Sequence, residues 1–180
     1  MPVKRQDIYK LCLAGLFIAM NIAAARLLSY NHPSGAIRIS PQFIVVGLSG
    51  WVLGPAWAMS AAMMGDILGM AIFPSPHPFL PLIAVAAGFR GWIYGAFLYK
   101  RKISTLRNYA AIFTTWIICD LAITTYAVAR MRGFPFHIQL FERLLPTLIM
   151  FAISMLTLTA LMHALKKPIS YMEGNFLHES

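Results

Sequence analysis

Charged side chains stand inside long apolar runs of this chain, where a lipid environment would reject them. Six such residues are present: Arg26, Asp66, Arg90, Asp120, Glu142 and Arg143. An isolated charge at the middle of a bilayer costs roughly 2.5–3.5 kcal/mol on insertion scales, so charges of this kind persist where they pair or face a polar cavity. Three cations and three anions could pair completely, which is the purely structural alternative. We interpret the set as the lining of a site for a polar ligand.

The outer half of the predicted membrane domain carries an excess of positive charge. All of the six residues except Asp120 lie nearer that side, and three arginines of the outer loops add to them: Arg38, Arg130 and Arg132. This balance favours an anionic small molecule that arrives from outside. Aromatic residues of the same half could stack on a planar ligand, although packing against lipid or protein explains each one taken alone. They are Phe79, Phe89, Trp92 and Tyr126.

The apolar runs that must position these charges define the class of the protein. Hydrophobic residues make up 59% of the 180 residues and charged residues 12%, far from the average of soluble proteins. A spanning helix needs about 20 mostly apolar residues, so the chain has room for roughly six spans and for no soluble catalytic domain. We predict an all-α integral membrane fold, one domain over 1–180, with six transmembrane helices at about 8–29, 41–53, 56–73, 81–99, 109–129 and 138–165. The run 41–53 is short for a crossing, which indicates a tilted or partly re-entrant segment.

The basic residues predict the orientation of this bundle. Nine of them fall in the predicted inner segments and three in the outer loops. Since the inner loops of membrane proteins carry the excess of Lys and Arg, both termini are predicted to lie in the cytoplasm. The formal net charge of +9 is therefore mainly a topology signal. It argues against a nucleic-acid partner, which would need the charges gathered on one solvated face.

Small residues recur at four-residue spacing in three of the predicted spans. The sets are Gly15, Ala19 and Ala23, then Ala61, Gly65 and Gly69, then Ala87, Gly91 and Gly95. In a lipid-embedded helix this spacing makes a flat ridge that lets a neighbouring backbone approach closely. The first ridge could pack within the chain, which is the default, or present a flat surface to another membrane subunit.

Sequence motifs of catalysis are missing from the chain. There is no GxxxxGK[ST] phosphate loop, no HExxH pair and no GxSxG turn. We therefore expect no enzyme activity, no metal and no cofactor. Any ATP hydrolysis that drives the protein would take place in partner subunits.

Three stretches resemble a known group of membrane proteins. They are RLLSYNHPSGAIRIS at 26–40, GWVLGPAWAMSAAMMGDILGMAIFPS at 50–75 and GWIYGAFLYK at 91–100. The GP turn followed by a GD-containing span resembles the S components, which are the substrate-binding subunits of energy-coupling factor (ECF) vitamin transporters. The arginine that ends span one, the R-I-S segment and the F-P-S after span three resemble the folate-specific branch. Pro76 and His77 stand where that branch usually has a glycine, so this loop departs from the family's pattern.

The resemblance implies a six-helix S component of a bacterial plasma membrane that captures folate from outside. Such a subunit would act with a membrane coupling subunit and two cytoplasmic ATPases, and it would topple in the bilayer to release its cargo inward. Ala19 and Ala23 match the alanines of the family's AxxxA docking motif, and Gly15 belongs to the same ridge. The loops 30–39 and 74–80 would form a lid, with the lid residues His32, Pro33, Ser75 and His77.

The chemistry of folate suggests roles for residues of the substrate site. Its glutamate tail carries two carboxylates, and its pterin has a donor edge that a carboxylate can accept in bidentate fashion. We expect Arg26 and Arg38 to organise the two loops or to meet the tail. We expect Asp66 or Asp120 to meet the pterin or to balance Arg90. The substrate-binding set predicted for this chain is Arg26, Arg38, Asp66, Phe79, Arg90, Trp92, Asp120, Tyr126 and Arg143.

Two other functions remain open at this point. The same class of subunit could bind another vitamin, such as pantothenate or a pyridoxine-like compound. Alternatively, the chain could be a self-sufficient proton-coupled carrier that uses Asp66 or Asp120 as a proton relay.

Overall fold

The structure is a computed structural model that describes residues 5–31, 38–73, 81–101 and 104–177. Helices account for nearly all of these residues, as predicted. The helices are α1 Arg5–Ile22, α2 Gln42–Leu53, α3 Pro55–Ile72, α4 Pro81–Leu98, α5 Thr105–Thr115, α6 Thr125–Arg132 and α7 Phe136–Leu177. A π-helical segment, Ala23–Leu27, continues α1, and a second one, Trp116–Thr124, joins α5 to α6. Two short strands, β1 Tyr30–Asn31 and β2 Arg38–Ile39, pair in antiparallel fashion.

Among the described residues, five helical stretches are long and apolar enough to cross a membrane. They are Ile8–Leu27, Pro55–Ile72, Pro81–Leu98, Thr105–Arg132 and Phe136–Leu161. The remaining membrane helix, α2, has only 12 residues. At 1.5 Å per residue it is about 18 Å long, which is shorter than the hydrocarbon core of about 30 Å. The all-α, six-helix fold of a multi-pass membrane protein is thus confirmed, with α2 as the short member.

Two of the helices extend beyond the apolar runs that the sequence marks. The fifth span was predicted to begin at residue 109, but α5 begins at Thr105. The last helix, α7, continues to Leu177, well past the predicted limit of 165. Hydropathy detects only the part of a helix that lies in hydrocarbon. The backbone hydrogen bonds do not depend on hydropathy, so the helix can continue into the polar region at the membrane surface.

Glycines let the helices of the bundle approach one another closely. A Cβ added at Gly91 of α4 would lie 2.5 Å from the carbonyl oxygen of Ala58 in α3. A Cβ added at Gly65 of α3 would lie 2.5 Å from Nδ2 of Asn21 in α1. Both distances are shorter than van der Waals contact. Gly91 faces fixed backbone and so excludes a side chain, whereas a side chain at Gly65 would require Asn21 to move. The ridges on α3 and α4 therefore pack inside the bundle, as their spacing predicted.

The ridge on α1 lies on the opposite face of its helix. Nothing lies within 4 Å of a Cβ added at Gly15, and Ala19 is exposed while Ala23 is half-buried. The helix packs instead through Ala14 and Phe17, which belong to a core cluster with residues of α2 and α3. The default expectation that the first ridge packs within the chain is therefore wrong for Gly15 and Ala19, because the helix contacts the bundle through a different face, which carries Ala14 and Phe17.

Candidate functional site

A polar cavity of about 170 Å³ lies at the centre of the bundle. It is surrounded by α2, α3, α4, α7 and the fifth span. This span is the continuous helix Thr105–Arg132, which consists of α5, the second π-helical segment and α6. Its lining residues are Ser40, Gln42, Phe43, Asp66, Ile83, Ala87, Arg90, Tyr94, Ile112, Thr115, Trp116, Asp120, Thr124, Arg143, Thr147, Met150, Phe151 and Ser154. Most of them belong to the halves of the helices that lie away from the basic loop after α4. Four of the predicted substrate residues, Asp66, Arg90, Asp120 and Arg143, meet in this cavity.

Arg90 and Asp120 form an ion pair across the cavity wall. The Nη2 atom of Arg90 donates to Oδ1 of Asp120 at 2.5 Å, and both side chains are largely withdrawn from the surface. This pair joins α4 to the fifth span. A charge-assisted hydrogen bond of this kind is about twice as strong as one between neutral groups. Asp120 therefore balances Arg90, which was one of the two roles predicted for it.

The backbone around Asp120 has the wider turn of a π-helix. The Thr124 hydroxyl donates to the carbonyl oxygen of Cys119 at 2.6 Å, and the Thr125 hydroxyl donates to that of Asp120 at 2.9 Å. Both bonds satisfy carbonyl groups five residues earlier in the chain. π-helical turns within α-helices are frequent at functional sites. Here the segment places Asp120 and Trp116 on the cavity.

Arg143 of α7 lies in the cavity wall without a carboxylate partner. Its Nε and Nη1 atoms are buried and have no hydrogen-bond partner among the residues described. The ion pairs found in that part of the chain join Arg26 to Asp66, Arg90 to Asp120, and Arg132 to Glu142. Arg26 and Arg90 already pair with the two carboxylates of the cavity, Asp66 and Asp120, so Arg143 leaves the cavity with one net positive charge. A buried cation of this kind is costly unless an anion joins it.

Arg26 and Asp66 form a longer pair behind the cavity wall. Arg26 Nη2 lies 3.9 Å from Asp66 Oδ1, and the side chains are 9% and 4% exposed. Asp66 lines the cavity, whereas Arg26 lies behind it and against Gly69, where an added Cβ would be 3.3 Å from the Arg26 Nε. The Oδ2 atom of Asp66 is buried and has no hydrogen-bond partner among the described residues. It is thus an acceptor that a ligand could use.

The third ion pair shows that the six intramembrane charges do not simply neutralise one another. Glu142 pairs with Arg132 of α6 at 3.2 Å, not with its neighbour Arg143. The side chain of Gln139 also donates to Glu142. Complete pairing among the six charges would require Glu142 to pair with Arg143. Instead Glu142 pairs with Arg132, which the sequence places in an outer loop.

Several residues that line the cavity were not predicted from the sequence, and most of them are aromatic or uncharged. Trp116 is the clearest case, because its ring centroid lies 5.1 Å from that of Phe151 and its indole Nε1 is buried without a hydrogen-bond partner among the described residues. Tyr94 and Gln42 also reach the cavity. A tryptophan in the middle of a span, away from the belts where Trp usually lies, is the signal that could have identified Trp116.

Other predicted residues lie away from the cavity. Trp92 and Tyr126 are 47% and 45% exposed and do not line it, so the prediction that they stack on the ligand is not supported. Both side chains face the surroundings of the bundle, which favours packing against lipid. The backbone of Arg38 pairs with Asn31. The side chain of Arg38, the substrate residue Phe79, and the lid residues His32, Pro33, Ser75 and His77 lie outside what the structure describes.

Comparison with known proteins places this arrangement in a family. Residues 5–167 match the family described as "ECF-type riboflavin transporter, S component". The folate transporter FolT of Clostridium novyi (strain NT) is 32% identical over 136 residues, which cover 76% of this chain and 77% of that protein. A crystal structure of FolT bound with folic acid has a TM-score of 0.77 at 27% identity, and the match covers 84% of this chain and 90% of that one.

These matches confirm the resemblance that the sequence motifs indicated. They extend it beyond the first four spans, since residues 5–167 include all six membrane helices. The names of these proteins differ in the vitamin, riboflavin for the family and folate for the relatives. The chain belongs to the family of S components of ECF-type transporters and is a membrane transport subunit, not an enzyme.

Proposed function

We propose that the protein binds folate in the central cavity as the S component of a bacterial vitamin importer. The observation that carries the proposal is the buried, uncompensated guanidinium of Arg143 beside a paired Arg90–Asp120 and an acceptor on Asp66. Folate supplies anionic carboxylates and a flat ring with a donor edge. The similarity to a folate transporter and to a folic-acid-bound structure supports the same ligand.

The ion pairs of the cavity suggest which residues contact each part of the ligand. Asp120 is engaged with Arg90, so Asp66 is the carboxylate available to accept the donor edge of the pterin. A carboxylate of the glutamate tail then pairs with Arg143. Trp116 and Phe151 offer ring faces for a planar group. At about 170 Å³ the cavity is smaller than the roughly 300–1,000 Å³ of sites for drug-sized ligands. It therefore holds one part of folate, and the rest extends beyond it.

Riboflavin is the second candidate, because the family description names it. Its flat ring system could stack on Trp116, but it has no carboxylate for Arg143. Titration of the purified protein with folate, riboflavin and pantothenate, followed by tryptophan fluorescence, separates these ligands. We expect saturation by folate at micromolar concentration or below. Saturation by riboflavin alone would replace the proposed ligand and keep the class of subunit.

We further propose that transport requires other polypeptides. The S-component family and the exposed ridge of Gly15 and Ala19 support docking onto a membrane coupling subunit, which would act with two cytoplasmic ATPases in the plasma membrane. The subunit would topple against that partner to release its cargo inward. Copurification of the three partners, together with uptake in vesicles, tests this. Uptake driven by a proton gradient in vesicles that contain this chain alone would instead indicate a self-sufficient carrier.

A further inference from the structure

A second recess lies at the surface where the fifth and sixth spans meet. This groove, of about 480 Å³, is lined by Tyr126, Ala129, Arg130, Gly133, Phe134, Pro135 and Phe136. Gly133 adopts a left-handed conformation (φ 71°) after the end of α6, and α7 begins three residues later at Phe136. The groove is therefore at the ends of two spanning helices, where hydrocarbon gives way to water. It shares no lining residue with the central cavity.

Arg130 is held in a fixed position at the edge of this groove. Its Nε atom donates to the Tyr126 hydroxyl at 3.1 Å, and its guanidinium carbon is 5.5 Å from the centre of the Tyr126 ring. The hydrogen bond uses the Nε atom of the guanidinium, and Arg130 is an exposed residue. No ion pair joins Arg130 to a carboxylate in the described part of the chain, whereas nearby Arg132 is paired with Glu142.

The surface around Arg130 combines this charge with large apolar side chains. Phe134 is 54% exposed and Phe136 is 43% exposed. Tyr126, which also lines the groove, is of the type that is enriched at the level of the headgroups. Arginine binds phosphate in bidentate fashion through its planar array of donors. The groove thus offers a phosphate-binding group next to apolar surface, at the depth where a phospholipid has the same two features.

We propose that the groove binds an anionic phospholipid of the outer leaflet. The phosphodiester accepts hydrogen bonds from the terminal amino groups of Arg130, and the upper part of one acyl chain lies against Phe134 and Phe136. The uncompensated charge of Arg130 favours a lipid with net negative charge, such as phosphatidylglycerol, over a zwitterionic one. The bound lipid holds this end of the fifth and sixth spans at headgroup depth. This inference does not depend on which vitamin the central cavity binds.

Photo-crosslinking of the full-length protein in nanodiscs tests the proposal. The probe is phosphatidylglycerol with a diazirine near its headgroup, and its adducts are mapped by mass spectrometry. We expect adducts in 126–136, and we expect Arg130→Gln to reduce them about tenfold, the scale of a lost charge-assisted hydrogen bond. Arg101→Gln is the matched control, because Arg101 is an exposed arginine after α4, in the basic loop at the other end of the bundle. It should leave the adducts in 126–136 unchanged.

Three results would overturn the proposal. One is equal labelling of 126–136 in the wild type and in Arg130→Gln, with thermal unfolding showing that the variant is folded. Another is equal labelling by a phosphatidylcholine probe. The third is the absence of adducts in this segment of the free subunit together with its protection in the assembled transporter, which would mean that a protein partner occupies the groove.

Discussion

Arg143 is the residue at which the energetics of folding and of binding are expected to conflict. Its guanidinium is buried in the cavity wall, and its Nε and Nη1 atoms lack hydrogen-bond partners among the described residues. A buried charge without a partner destabilises the empty protein, and an anionic ligand recovers that cost. If the proposed function is right, Arg143 contributes to ligand binding and not to the stability of the empty protein.

Replacement of Arg143 by Gln should weaken folate binding and leave the empty protein at least as stable. The expected loss is about 1.5–3 kcal/mol of binding free energy, the value of a hydrogen bond to a charged group, or about 10- to 100-fold in Kd. Fluorescence titration and thermal unfolding in detergent measure the two effects. An analogue of folate without the glutamate carboxylates should bind both proteins equally. If Arg143→Gln keeps full affinity for folate, the tail does not meet Arg143.

The Arg90–Asp120 pair should behave as a unit. Arg90→Gln leaves the carboxylate of Asp120 without its partner, so we expect a loss of about 1.5–3 kcal/mol in the free energy of unfolding. The double variant Arg90→Gln with Asp120→Asn removes both charges and should recover part of that loss. Thermal unfolding of the two single variants and the double variant measures the coupling. Additive effects would show that the 2.5 Å contact contributes nothing to stability.

At the scale of the elements, the two π-helical segments each carry one member of an ion pair whose partner lines the cavity. Ala23–Leu27 contains Arg26, and Trp116–Thr124 contains Asp120. A π-helical turn adds a residue to the helix and changes which side chains share a face. The hydroxyl groups of Thr124 and Thr125 bind carbonyl oxygens that the wider turn presents.

Thr125→Val tests the role of the second π segment. Thr125 is fully buried, and valine has a similar shape but cannot donate to the Asp120 carbonyl. We expect a loss of about 1 kcal/mol in the free energy of unfolding and weaker folate binding, because Asp120 is no longer held in place. Thr157→Val is the control, since Thr157 is exposed and donates to Ile153 within an ordinary helical turn. Equal effects of both substitutions would contradict a special role for the π segment.

The exposed ridge of α1 leads to a prediction about assembly. Substitution of Gly15 and Ala19 by leucine adds bulk where the structure has free space, so folding and vitamin binding should be retained. ATP-driven uptake by the assembled transporter should be lost, because a flat helical face can no longer approach the coupling subunit. Leu16→Trp alters another exposed position of the same helix and should have a smaller effect. Loss of vitamin binding in the ridge variant would mean that the ridge supports the fold.

At the scale of the whole molecule, the orientation in the membrane decides from which side the ligand enters. The cavity extends from the middle of the bundle towards the helix ends opposite the basic loop after α4, where Ser40, Gln42 and Ile83 line it. The basic loop is predicted to be cytoplasmic. The central site is therefore expected to fill from outside.

Cysteine labelling tests this orientation. In a background with Cys12 and Cys119 replaced by Ala, an impermeant thiol reagent added to intact cells should label His137→Cys, because His137 is exposed at the start of α7 and does not line the groove. It should label Arg101→Cys only after the cells are opened. The reverse pattern would invert the topology and place the cavity on the cytoplasmic side.

The sequence by itself determined the class of the protein, the approximate positions of its membrane helices and its family. It also identified the four charged residues that meet in the cavity. These follow from hydropathy, from charges in apolar runs and from local motifs, which are properties of residues along the chain. Tertiary structure decided which charges pair: Glu142 joins Arg132, and Arg143 forms no ion pair among the described residues. It also brought Trp116 to the cavity and turned Trp92 away from it. The physical reason is that the face a side chain occupies depends on how all the helices pack and on the added residue of a π-helical turn, neither of which a one-dimensional pattern contains.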